Sequence, residues 1–172
     1  MFDIRRARGI CEEWETIIFR VNRTVSVVVG VRMKQGVVRV GDRKTGVAAP
    51  QNFTGTVWTD VVVVGDRPSR MRATMYHFNP GGRTNWHSHP VGQTLYCTAG
   101  IGRICFKGSP PQILEPGDTV TIPPDTWHWH GAAPGQFFAH LAMMEVDDAG
   151  NGTAWFEPVS EADYNAPAVL PD

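Results

Sequence analysis

From about residue 55 onward, apolar and polar residues alternate in short runs, each closed by a Gly/Pro cluster. This period-two pattern predicts strands at 55–64, 70–78, 84–89, 93–99, 102–107, 119–122, 127–130 and 136–146. Between them lie Pro80-Gly81-Gly82, Ser109-Pro110-Pro111, Pro116-Gly117-Asp118, Pro123-Pro124-Asp125 and Ala133-Pro134-Gly135. Each is turn chemistry: Pro presets φ, Gly supplies positive φ, and Asp bonds its own backbone. Upstream, 24–32 is an apolar β-branched run read as a further strand. Helical signals are few: 11–19, and a capping box at Ser160–Asp163 that opens a short final turn. Strands at such close spacing predict an all-β, antiparallel barrel or jelly roll.

Length and composition fit that class. A chain of 172 residues suits one domain, and 18 Gly with 13 Pro supply the turns while 6 Trp and 8 Phe supply core bulk. The net charge of −1 gives no whole-molecule attraction to nucleic acid or membrane. The charge is uneven, however: residues 1–50 hold ten Lys/Arg against five acids. That basic arm lacks a nucleic-acid motif or interleaved aromatics, so a solvated segment is expected, with no nucleic-acid partner. Glu12, Glu13 and Glu15 precede any apolar run, and Thr24–Val31 is too short to span a bilayer. A cytoplasmic protein with no membrane partner is therefore expected. Cys97 and Cys105 flank the expected turn 98–104 and could face each other across a hairpin, with free thiols the expected state.

All six histidines, His77, His87, His89, His128, His130 and His140, fall in the stretch 77–140. His87 and His89, two apart on an expected strand, leave the same face. Gln93 returns across Pro90-Val91-Gly92, and His128 arrives after the Pro123-Pro124-Asp125 turn. Three imidazoles and an amide oxygen suit Mn, Fe, Ni or Zn, with a position left open for substrate. On 136–146, His140 shares a face with Phe138, Ala142 and Met144. If that face is interior, His140 is either a general base or a core histidine on a carbonyl.

Two stretches carry a resemblance. GGRTNWHSHPVGQTLYCTAG (81–100) resembles the first cupin motif, and GDTVTIPPDTWHWHG (117–131) the second. FTGTVW (53–58), HWHGAAP (128–134) and HLAMME (140–145) narrow the likeness to the bacterial cupin-type hydroxynitrile lyases, over about 53–164. The resemblance implies a single cupin barrel at 53–164, an N-terminal arm at 1–52 and a tail at 165–172. It implies one divalent metal, manganese foremost, held by His87, His89, Gln93 and His128. It implies further that His140 lies beside a small-molecule substrate, that the protein is a homodimer, and that a cyanohydrin is split to an aldehyde and HCN. Many cupins have Glu where Gln93 stands; the neutral amide leaves the full +2 charge, which favours Lewis-acid chemistry over oxygen activation. Thr74 and bulky Tyr76 stand where the lyases have small residues, and Met144 where they have an amide, so these three, with His130, are the expected pocket positions. An iron-dependent dioxygenase and a non-catalytic metal or ligand-binding cupin remain alternatives, because fold alone does not choose function. The distance from Met33 to Phe53 resembles the lyase leader, so residues 1–32 are expected to be dispensable and not native, with an edge strand at Val25–Val31 the alternative.

Overall fold

The computed structural model describes residues 36–170, together with the backbone of 20–21 and 24–25. The chain divides into two units, Met1–Lys34 and Gln35–Asp172. In the first, β1 (Arg20–Val21) pairs antiparallel with β2 (Thr24–Val25). Of the expected strand 24–32 only Thr24–Val25 is described, and the expected helix 11–19 lies outside the described residues.

The second unit is an antiparallel barrel of two sheets. Its first strands are β3 (Thr45–Val47), β4 (Phe53–Thr54), β5 (Val57–Val64), β6 (Met71–Phe78), β7 (Arg83–Thr84) and β8 (His87–Ser88). There follow β9 (Gln93–Gly100), β10 (Gly102–Phe106), β11 (Gln112–Leu114), β12 (Thr119–Ile122), β13 (His128–Ala132), β14 (Phe138–Glu145) and β15 (Ala154–Trp155). One sheet has the order β12-β9-β14-β6-β5-β3; the other runs β11-β10-β13-β7-β4, with β8 bridging β13 and β15. The pairing reaches beyond 53–164 at both ends, through β3 on β5 and a bridge from Val169 to Gln112. The only α-helix among the described residues, α1 (Glu161–Asn165), opens as expected: Ser160 Oγ accepts from the Asp163 amide at 3.0 Å and donates to its carboxylate at 2.8 Å. No helix of the described residues is long and apolar enough to cross a membrane.

Alternation decides what fills the barrel. On β6, β14 and β9 the inward positions line up in rows across the sheet: Phe78–Phe138–Gly100, Tyr76–His140–Cys97, Thr74–Ala142–Leu95 and Arg72–Met144–Gln93. The first row is a hydrocarbon plug, where Phe78 and Phe138 are buried with Leu95 and Ile104 from both sheets. Gly102 makes the plug possible, since a Cβ there would sit 2.5 Å from the Phe138 ring. The last row carries Arg72 and Gln93, so one end of the barrel is filled with hydrocarbon and the other is chemically equipped.

Two expectations are corrected. Cys97 and Cys105 do not face each other across a hairpin. Gly100, at φ 73°, turns the chain out of one sheet, and β10 then pairs with β13 and β11 in the other. Cys97 joins the interior cluster, Cys105 the outer one with Trp86 and Trp129, and both are free thiols. Burial pushes the Cys97 thiol up to about 12. The expected strand 84–89 is broken into β7 and β8, because the amides of Asn85 and Trp86 turn aside to Asn52 and Glu157. β3, β4, β11 and β15 are too short to carry a period and were not expected.

Candidate metal centre and its cavity

The two motifs meet through strand register. β8 pairs with β13 so that His87 lies directly opposite His128, with their rings 4.1 Å apart. His89 follows at the strand end, its ring 5.1 Å from His87 and 5.5 Å from His128. The His89 carbonyl accepts from both Gly92 and Asp125, which fixes the turn between the two motifs. Gly92 has φ 85° there, and a Cβ would meet the Ile122 carbonyl at 2.7 Å. The turn returns Gln93 to the site, with Oε1 3.3 Å from His128 Nε2.

Backbone carbonyls decide how three of these rings present themselves. His87 Nδ1 faces Asn85 O at 3.0 Å, His89 Nδ1 faces Gly152 O at 2.7 Å, and His128 Nδ1 faces Thr126 O at 2.9 Å. A carbonyl only accepts, so each Nδ1 carries the proton and each Nε2 keeps a lone pair. His89 Nε2 is buried without a hydrogen-bond partner. His128 Nε2 confronts another acceptor, the Gln93 oxygen. Lone pairs left buried and facing one another are unfavourable by about 1–3 kcal/mol each, and a cation between them removes that penalty. The donors therefore fit a divalent transition metal.

Burial keeps the cluster neutral. It holds His87 and His130 well below the usual imidazole range, with neighbouring imidazoles adding to the effect, and lowers His89 less. His128 is pushed down to about 4 and His140 to about 3, again chiefly by burial.

His87, His128 and His130 form a group whose ligand-capable atoms all lie within 4.8 Å of one another, so these three buried histidines could hold a metal ion. His130 thus stands closer to the centre than its expected role as a pocket residue implies. It also contacts His140, with Nδ1 3.1 Å from His140 Nε2 and the rings edge-on at 4.7 Å. His77 lies on the outer face, paired with Asp60.

Beside the imidazoles is a cavity of about 40 Å³. Thr74, Tyr76, His130 and Met144 line it, together with His87, His89 and Gln93. His140 does not: it is fully buried one layer down, behind His130 and Tyr76. Phe53, Arg72, Thr84, Thr153 and Trp155 also line the cavity and were missed from sequence. Arg72 was within reach, being the next inward position on β6 before Thr74 and Tyr76. Trp155, whose ring packs 4.9 Å from His87, comes from a two-residue strand that leaves no periodic signal.

A family model described as a cupin domain matches residues 74–143. The (R)-mandelonitrile lyase of Granulicella tundricola is 40% identical over 126 residues, 73% of this chain and 95% of that enzyme. The chain belongs to the cupin family. Among solved structures, this cupin is similar to a cupin-like protein from Thermotoga maritima, with TM-score 0.65 and 37% identity over 69% of this chain and 89% of that one. A polyketide cyclase from Streptomyces resistomycificus shares the fold, with TM-score 0.60 and 19% identity over 76% and 91% of the two chains.

Proposed function

We propose that this cupin is a metal-dependent lyase acting on a small hydroxy compound, the specific reaction being cleavage of a cyanohydrin to an aldehyde and HCN. The observation that carries it is the set of three carbonyl-tethered imidazoles, their rings 4.1–5.5 Å apart, with Gln93 Oε1 3.3 Å from His128 Nε2 and a cavity alongside. The named activity of the Granulicella tundricola relative supports the reaction class. His87, His89 and His128 through Nε2, and Gln93 through Oε1, would hold one divalent transition metal, manganese foremost. Bound among four neutral donors, it supplies an undiminished double charge for polarising a hydroxyl or carbonyl oxygen. His130 is left out of the ligand set because its Nδ1 faces an imidazole, whose tautomer can change, and not a carbonyl.

The remaining work falls to this chain's own groups. The substrate hydroxyl gives its proton to the His130–His140 pair. His130 takes it at Nε2 from the cavity side, and its Nδ1 proton passes across 3.1 Å to His140 Nε2. Both rings are unprotonated at neutral pH because they are buried. As the carbon–carbon bond to the nitrile breaks, its electron pair leaves with cyanide, and the histidine pair returns the proton to give HCN. Phe53, Tyr76 and Trp155 wall the reacting groups from water. A cavity of about 40 Å³ admits roughly three waters' worth of atoms, which suits an aliphatic compound better than an aryl one. A cytoplasmic homodimer completes the proposal, supported by exposed Trp58, Met71 and Tyr96 on the six-stranded sheet.

Metal analysis followed by HCN release from mandelonitrile and from an aliphatic cyanohydrin tests the reading. Full-length protein is expected to hold one metal equivalent, lost on His89→Ala and kept on His130→Ala. A fully loaded protein that releases HCN from neither compound is not a hydroxynitrile lyase.

A further inference from the structure

The row of inward side chains at the equipped end of the barrel runs Arg72, Met144, Gln93 across three neighbouring strands. Arg72 and Gln93 stand two strand spacings apart, about 10 Å between backbones, and both line the cavity. Arg72 is the one permanently charged side chain in that lining, which includes no acidic residue.

The guanidinium is also held in place. Its Nη1 donates to Gly65 O at 2.9 Å and to Met71 O at 3.0 Å. Those two bonds use two of the five N–H donors and fix the plane of the group, leaving three donors on Nη2 and Nε. Arg70, two residues earlier, is by contrast neutralised on the surface by Glu145 and Asp148. An arginine fork in the lining of a cavity without acids attracts an anion, and a planar carboxylate matches the fork with two parallel hydrogen bonds.

We propose that Arg72 is the residue that recognises a carboxylate on the substrate. The ligand is then a small organic acid that also carries a hydroxyl or carbonyl. Its carboxylate sits on Nη2 and Nε, and its oxygen-bearing carbon turns toward Gln93 and the imidazoles. The small cavity favours a compact acid without an aromatic side group. This rests on the reading above only in taking the cavity as the reaction site, and it narrows the hydroxy compound to an anionic one.

Calorimetric titration of the metal-loaded protein with lactate, with its neutral isostere lactamide, and with inorganic phosphate tests it. Arg72→Met, which keeps the aliphatic stem, is expected to weaken lactate binding at least about tenfold while lactamide binding and metal content stay unchanged. Equal lactate affinity in both proteins would mean the carboxylate is held elsewhere and would overturn the proposal. So would a loss confined to phosphate, which assigns the arginine to a tetrahedral anion. Should the variant not fold, wild-type crystals soaked in lactate give the answer. Carboxylate oxygens on Nη2 and Nε support the proposal; a carboxylate seated only on the histidines refutes it. Binding is measured and not turnover, so a failure to split cyanohydrins would sink the reaction proposed above and leave this result standing.

Discussion

Metal-free protein should lose its stability steeply as the pH falls from about 6.5 to about 5. His87, His128, His130 and His140 are all held neutral by burial, His128 down to about 4 and His140 to about 3, with His87 and His130 also well below the ordinary value. In the unfolded chain each takes up a proton near pH 6.5. Unfolding therefore binds protons below that pH, and stability that is complete above about 6.5 falls as the pH drops toward the folded values. At about pH 5 the unfolded state gains about 2 kcal/mol for each of His128 and His140, close to 4 kcal/mol for the two, and His87 and His130 act in the same direction. The slope should reach about 3 kcal/mol per pH unit, or roughly two protons, from His128 and His140. Urea unfolding of chelator-stripped protein, followed by tryptophan fluorescence at several pH values, gives that slope directly. Uptake of fewer than about one proton would show that these imidazoles are not buried neutral in the folded chain, and the tautomer argument for the metal centre would fall with it.

Gln93→Glu should keep the metal and lower the lyase rate, since one negative charge weakens the Lewis acid; metal analysis and HCN release read both, and an unchanged rate argues against a role for the neutral amide. His140→Ala should leave metal content intact and reduce turnover by about two to four orders of magnitude, whereas a loss of only a few-fold makes His140 a packing residue. Leu95→Ala removes a fully buried side chain from between the two sheets and should destabilise the fold by about 3 kcal/mol in urea, with the metal still bound.

The barrel was legible because its long strands repeat with period two and its turns are spelled in Gly and Pro; β5, β6, β9 and β14 fall within three residues of their expected bounds. Short edge segments were not legible, since β4 and β15 hold two residues each and owe their pairing to β7 and β8. The Cys97–Cys105 hairpin failed for a topological reason: a Gly between two alternating runs marks a change of direction, and here it marks a change of sheet. At the site, spacing identified which histidines gather. It could not give the carbonyl acceptors of their Nδ1 atoms, two of which come from residues close in sequence and one from Gly152, far along the chain. Nor could it show that His140 stands behind His130.

The phenylalanine plug at Gly102 has a kinetic consequence. Phe78 and Phe138, packed with Leu95 and Ile104, close off that end of the barrel to the cavity lined by Arg72 and Met144. A ligand among the imidazoles enters and leaves away from that plug, and both products of the proposed cleavage would share that side. A product left there occupies the substrate's place, so the aldehyde of the proposed cleavage should inhibit competitively.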